Sequence, residues 1–286
     1  MRINLVNYEA ALGIDGILSK FAHSMEKSLA ALGHTVTVSV MPLPHADVNH
    51  HINYNSYCHQ PGTINTLQIT HITNEDKLCN VTQGMMTADM GICLSEETQK
   101  ELEKKGITNL TTVYPAHDGL KRRRTVISIL TNVYNDGCKR EWMFAELLRN
   151  IDMDKFTFLI MGKDWEPVLT EAPSGLMVEY HHKFDAKEYK KILDRSDYCL
   201  YFGKDEGSMG ILDATNAGIR CIAPNIGFHQ KLEIAFPFDT QKELEAVFER
   251  ITRNPVADWT WMNYCKQHEI IWKKLSGIRR INSQDV

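Results

Sequence analysis

The chain has 286 residues, of which 43% are apolar, 24% charged and 9% aromatic, proportions that exclude a disordered or fibrous chain. That length suits about two domains, each able to bury a core of its own. The 32 Lys and Arg residues stand against 36 Asp and Glu, for a formal net charge of −4, which argues against a dedicated nucleic-acid binder.

Met1 to Val6 is a short apolar run broken by Asn7. It lacks the form of a secretory leader, and no stretch approaches the roughly 20 apolar residues of a membrane span. Seven cysteines (58, 79, 93, 138, 199, 221 and 265) form no Cys-x-x-Cys pair. Free thiols in a reducing, cytoplasmic compartment are the expectation.

Arg2 to Val6 reads as a strand, and Gly13-Ile14-Asp15-Gly16 as a flexible turn. Ile17, Phe21, Met25, Leu29 and Leu32 then mark one face of a helix that Gly33 ends. Val36 to Val40 is a second strand. Residues 41–63, rich in Pro, His, Asn and Tyr, read as a long loop. Its His45, Asp47, His50, His51, Cys58 and His59 fit no tight metal-ligand spacing, so no metal site is expected. Strands follow at Leu67 to Thr70, Met90 to Leu94 and Leu110 to Tyr114, with a Ser95-capped helix from Glu96 to Lys105.

Turn chemistry at Pro115 to Gly119 and the basic run Lys121-Arg122-Arg123-Arg124 mark a break. The cycle then restarts with a strand at Val126 to Leu130, a turn at Asn135-Asp136-Gly137 and a helix at 139–149. Strands are expected at Phe156 to Met161, Met177 to Tyr180, Tyr198 to Phe202 and Cys221 to Ala223. Helices are expected at 185–194, Met209 to Ala217, Gln241 to Arg253 and Trp259 to Leu275. Two such alternating runs predict α/β architecture: two Rossmann-like domains facing a central cleft. The expected division is 1–118, then 119–258, with 259–286 as a final, aromatic helical segment.

The most informative segment runs from Asp205 to Gly218, after a strand and into a helix. Gly207 and Gly210 permit close backbone approach, and the amides of Ser208, Met209 and Gly210 at the helix start suit a phosphate. Asp213 lies a turn further on. The bland alternative is a Ser208 N-cap on a helix with an acidic first turn.

This segment resembles the nucleotide-sugar motif of GT-B retaining glycosyltransferases, especially the family-4 group. That family carries two acids separated by seven residues, as Asp205 and Asp213 are here, then small residues and Gly before an apolar strand, matched by Ala217-Gly218-Ile219-Arg220-Cys221-Ile222. The family's acids are usually Glu, and either Asp205 or Glu206 can take the first place. The resemblance implies that the first acid contacts donor-sugar hydroxyls and that Asp213 holds the ribose diol. It also implies that Lys139 and Arg140, after the strand Val126 to Leu130, hold the donor diphosphate. The alternative for this pair is a solvated first helical turn. The family's Arg just after that strand is missing, with Thr131 or Asn132 in its place. Leu67 to Asp76 resembles the family strand ending in a His that faces the donor sugar, here His71, which is thereby a candidate catalytic residue; the alternative for a lone His is a satisfied structural role. Gly13 to Gly16 resembles the loop that approaches donor and acceptor.

The resemblance implies transfer of a hexose from a nucleotide sugar to an acceptor hydroxyl with retention, in glycan or polysaccharide assembly. The nucleotide sugar is a substrate, no separate cofactor is needed, and the acceptor is a glycan or glycolipid. No Asp-x-Asp stands in the donor segment, so a metal-independent mechanism is expected. The resemblance also implies that the last helix, 259–286, returns to the first domain; the aromatic and basic end of the chain (Trp259, Trp261, Trp272, Lys273, Lys274, Arg279, Arg280) has a second reading as a peripheral contact with an anionic membrane surface. Two other functions share the architecture: a non-transferring, epimerase-like nucleotide-sugar enzyme, and a degenerate nucleotide-sugar-binding protein. The absence of a Gly-x-Gly-x-x-Gly after the first strand argues against a NAD-type dehydrogenase.

Overall fold

The computed structural model describes residues 1–119, 123–134 and 136–282. The chain divides into two compact units, one formed by 1–120 with 256–286 and the other by 121–255. Each carries a six-stranded sheet in which every pairing among the described residues is parallel. The α/β, Rossmann-like reading of both halves therefore stands. Lys121, Arg122 and Asn135, like Arg279 and Arg280 for their side chains, lie outside what the structure describes.

The first unit runs β1 (Arg2–Val6), α1 (Tyr8–Ala11), α2 (Ile17–Ala31), β2 (Thr35–Ser39), β3 (Val48–His51) and β4 (Ile64–Ile69). It continues with α3 (Glu75–Met85), β5 (Met90–Cys93), α4 (Glu96–Lys104) and β6 (Leu110–Thr112). The strand order is β2-β1-β3-β4-β5-β6. Ile3, Leu5, Met25, Leu29, Val48, Ile64 and Ile92 form its main core.

The stretch 41–63 is not a plain loop, because β3 lies inside it with all four residues buried. Its polar sequence, Val48-Asn49-His50-His51, hid a central strand. What permits the burial is polar pairing. Asn49 Nδ2 donates to Thr63 Oγ1 at 2.9 Å, and His50 Nδ1 lies 2.9 Å from Thr66 Oγ1 on β4. Buried polar groups survive when they bond to one another. Helix α3 was also absent from the sequence reading. Asn74 caps it by accepting from the Lys77 amide at 3.0 Å.

The second unit runs β7 (Thr125–Leu130), α5 (Trp142–Asn150), β8 (Phe156–Met161), α6 (Glu166–Thr170), β9 (Val178–His181) and α7 (Ala186–Arg195). Then come β10 (Tyr198–Leu200), α8 (Met209–Asn216), β11 (Arg220–Ala223), β12 (Phe236–Pro237) and α9 (Gln241–Thr252). Aromatic rings dominate its core: Phe144, Phe156, Phe158, Phe202 and Phe248 are all buried. Thr240 and Glu243 close a capping box at the start of α9. The strand order β12-β11-β10-β7-β8-β9 reverses between β10 and β7. In open parallel sheets, ligands bind outside the carboxyl ends of the strands at such a reversal.

The last helix, α10 (Trp261–Asn282), packs on the first unit. Tyr264 donates to Gln68 Oε1 at 2.9 Å and Trp272 Nε1 to Thr66 Oγ1 at 3.1 Å. Tyr264, Cys265, His268 and Trp272 are all buried there.

Candidate functional site

Three segments meet at the carboxyl edge of the reversal in the second unit. One is the turn that leads into α5 and carries Lys139 and Arg140. A second is the end of β10, with Tyr201 and Phe202. The third is the turn 205–208 that opens α8. The Lys204 amide donates to the Cys138 carbonyl at 2.9 Å and ties the first of these to the last.

Lys139 and Arg140 lie ahead of α5, not in its first turn, and neither is solvated. Lys139 Nζ pairs with Asp205 Oδ2 and donates to Tyr201 Oη at 2.9 Å, while Tyr201 donates to Asp205 Oδ1. The side chains of Lys139 and Asp205 are only 13% and 20% exposed, so the pair sits in a partly water-excluded place where charge interactions are strong. Burial acts to lower the Lys139 pKa, but its bonds to Asp205 and Tyr201 outweigh that and hold it above the usual lysine range. Burial acts to raise the Asp205 carboxyl, and Lys139 and Tyr201 bring it below the usual carboxylate range. Both groups therefore stay charged at neutral pH. Burial, with Asp205 second, raises the Tyr201 phenol, which stays protonated and donates.

Arg140 is 6% exposed and has a left-handed backbone, φ 51°. Its Nε donates to the Phe202 carbonyl at 2.5 Å and its Nη1 to the Asp239 carbonyl at 3.1 Å. Its Nη2 is buried with no hydrogen-bond partner in the described structure. The guanidinium is thus mainly a strut between the end of β10 and the approach to α9.

The turn itself is built by glycine. Gly207 has φ 125°, and a Cβ there would fall 2.6 Å from the Phe228 ring. A Cβ on Gly210 would fall 2.8 Å from Leu130 Cβ, at the end of β7. Helix α8 therefore starts hard against the strand on which the order reverses. One expectation needs correction here. The Ser208 amide is not free for a ligand, because it donates to His229 Nε2 at 2.9 Å. Ser208 takes the N-cap position but makes no side-chain cap bond. Met209 and Gly210 supply the amides of the first helical turn, which have no partner within a helix.

Asp213, one turn along α8, accepts from the Tyr189 hydroxyl of α7 at 2.7 Å. Burial, then Asp213, raises the Tyr189 phenol. Glu206 is exposed, and its carbonyl accepts the Phe228 amide at 3.0 Å. Asp205, not Glu206, is therefore the acid in contact with Lys139.

His71 and Gly13 belong to the first unit. His71 follows β4; its side chain is exposed and its carbonyl accepts the Tyr54 hydroxyl at 2.9 Å. It lines a cavity of about 390 Å³ with Phe21, Tyr54, Gln68 and Leu94. Gly13 is exposed with φ 69°. A larger cavity in the second unit, about 590 Å³, lies at the opposite, amino edge of β7 and β10 and includes Arg123, Asp197 and Arg220. It is the wrong end of the sheet for the chemistry, and Arg123 is already paired with Asp197. The chain's Asp152-Met153-Asp154 also lies away from the site, ahead of β8, where the two acids pair with Lys155 and Arg124.

No family model and no curated protein matches this chain. Solved structures show similarity at low identity. A variant of TarM from S. aureus, in complex with fondaparinux, α-GlcNAc-glycerol and UDP, is 10% identical, with a TM-score of 0.38, over 77% of this chain and 50% of that one. The lipopolysaccharide outer core galactosyltransferase WaaB, in its apo form, is 14% identical, with a TM-score of 0.37, over 96% of this chain and 100% of that one. A glycosyltransferase from Rickettsia africae is 12% identical, with a TM-score of 0.37, over 96% and 98%. The chain thus spans half the length of TarM and nearly all of the other two. Among the described residues, no helix is long and apolar enough to cross a membrane.

The structure brings together Lys139, Asp205, Gly207, Ser208, Met209 and Gly210. Sequence reasoning missed Tyr201, Tyr189 and His229. Tyr201 carried a usable signal, since a polar-tipped aromatic at the end of an apolar strand needs a partner for its hydroxyl. His229 had none, because it lies 21 residues from the amide it holds.

Proposed function

We propose that this chain is a glycosyltransferase that moves a hexose from a nucleotide sugar to an acceptor hydroxyl, with retention and without a metal ion. The observation that carries the reading is the Lys139–Asp205–Tyr201 cluster beside the glycine-built start of α8, at the strand reversal of the second sheet. A cation, helix-start amides and carboxylates at one edge suit a sugar diphosphate better than any other common ligand class.

The chemistry asked of the protein is mostly electrostatic. The bond from the anomeric carbon to the diphosphate oxygen breaks, and the electron pair leaves with the diphosphate. Lys139 and the amides of Met209 and Gly210 offset that charge. In the free site Asp205 already neutralises Lys139. The incoming diphosphate takes over the lysine and frees the Asp205 carboxylate to accept from donor-sugar hydroxyls. Asp213, held by Tyr189 through one oxygen, keeps its second oxygen for the ribose diol. The acceptor oxygen then bonds to the anomeric carbon on the face the diphosphate leaves, and its proton passes to the diphosphate oxygen. His71, as the family resemblance implies, is the residue that faces the donor sugar, and the acceptor is a glycan or glycolipid.

Calorimetric titration with UDP, GDP and ADP tests the site. Wild-type protein should bind at least one of them, and Lys139→Gln should weaken that binding at least tenfold. Equal affinity in the variant would remove Lys139 from the site.

A further inference from the structure

The geometry points to His229 as the positioning residue of the ligand-binding turn: by holding the Ser208 amide it fixes which amides of that turn remain for an anionic ligand. The inference rests on the proposal that the 205–210 turn receives a nucleoside diphosphate.

His229 is fully buried, on the 3-10 turn Gly227–Lys231 that follows β11. Its two ring nitrogens face backbone groups of opposite and fixed polarity. Nδ1 lies 3.0 Å from the Pro224 carbonyl, which only accepts. Nε2 lies 2.9 Å from the Ser208 amide, which only donates. Both bonds form in one state alone, the neutral ring with its proton on Nδ1. The ring is fixed from both sides, edge-on to Tyr201 at 5.6 Å and to Phe228 at 5.1 Å. Tyr201 is the residue that bonds both Lys139 and Asp205, so the imidazole packs against the ring whose hydroxyl joins the charged cluster.

The same segment holds the turn in two further places. The Phe228 amide donates to the Glu206 carbonyl at 3.0 Å, and the Phe228 ring occupies the space over Gly207. Three successive turn residues, Glu206, Gly207 and Ser208, are therefore braced from the segment after β11. Of these contacts, only that of His229 reaches an amide that would otherwise be available to phosphate. With the Ser208 amide turned into the protein, the ligand meets the amides of Met209 and Gly210. An amide needs an acceptor wherever it is buried. With His229 removed, the Ser208 amide has no acceptor at that depth, and the turn must re-form around a different one.

The test uses the full chain and three readouts. The first is the imidazole nitrogen spectrum of wild-type protein, which should show His229 protonated on Nδ1 and bare at Nε2; the reverse tautomer would overturn the inference. The second is hydrogen exchange at the Ser208 amide. The third is affinity for whichever of UDP, GDP and ADP binds the wild type. His229→Phe keeps a ring but offers no acceptor, and should raise Ser208 exchange and lower nucleotide affinity, each at least tenfold. His229→Leu is a second apolar variant should the larger ring not be accommodated. His229→Gln sets an acceptor oxygen at the depth of Nε2, and should stay within about threefold of wild type in both measures. Wild-type behaviour in His229→Phe with loss in His229→Gln would make the role one of packing, and overturn the inference. Wild-type protein that binds none of the three nucleotides would overturn the reading of the turn, and the inference with it. That failure is distinct from one in which wild type binds and the variants bind equally.

Discussion

Lys139 and Arg140 are neighbours in sequence with different work to do. Lys139 is held by side chains that a ligand can displace, Asp205 and Tyr201. Arg140 is held by the carbonyls of Phe202 and Asp239, which belong to the frame. Substitutions should therefore tell the two roles apart. Lys139→Gln should cost nucleotide affinity at least tenfold, and because it leaves the Asp205 carboxylate uncompensated in a partly buried place its melting temperature should fall as well; Arg140→Ala should act mainly on stability. Arg140→Ala leaves two carbonyls without their donor, at about 1–3 kcal/mol each if they stay buried. Its melting temperature should drop by several degrees at least, as read by calorimetry. A melting temperature equal to wild type would mean that the guanidinium is not a strut. Asp213→Asn should keep the Tyr189 bond, since an amide oxygen still accepts, and should lose donor affinity through the ribose. Unchanged donor affinity would place Asp213 in the frame alone.

At the scale of elements, legibility followed chemistry. Alternating or helical apolar spacing located β1, β7, β8, α2 and α9 because those elements bury apolar faces. Strand β3 was missed because Asn49 and His50 bury through hydrogen bonds to Thr63 and Thr66, a pairing that no local pattern announces. The glycine-bearing turn before α8 was legible because close approach demands glycine at Gly207 and Gly210. Its brace through His229 was not, because that bond depends on how the chain returns after β11.

Helix α10 extends the same lesson. His268 is buried beside His50, with ring centroids 5.1 Å apart, and His50 also meets Trp272 at 5.6 Å. Burial lowers His268 to about 4. Burial also holds His50 well below its ordinary value, with His268 and His51 adding to the effect. A histidine whose folded pKa is depressed binds fewer protons folded than unfolded. Its contribution is complete above the unfolded value near 6.5 and is lost as pH falls toward 4. For His268 the loss is on the order of 3 kcal/mol. The first unit should melt progressively earlier between about pH 6.5 and 4, and His268→Gln should flatten that slope. An acid slope unchanged by the substitution would assign the pH dependence to other groups.

For the whole molecule, the two sheets carry different strand orders, β2-β1-β3-β4-β5-β6 and β12-β11-β10-β7-β8-β9. The second places its reversal beside the cluster in which the strongest sequence signals converge: the basic pair, the first acid and the glycine turn. That coincidence of topology and chemistry is the basis of the proposed function. The most direct test is a transfer reaction in excess EDTA, using UDP-, GDP- and ADP-linked hexoses and mixed glycan and glycolipid acceptors, followed by proton NMR at the anomeric centre. The account predicts that one donor is consumed and that the product keeps the donor's anomeric configuration. An inverted product, activity that returns only on adding magnesium or manganese, or no donor consumed with any acceptor would contradict it.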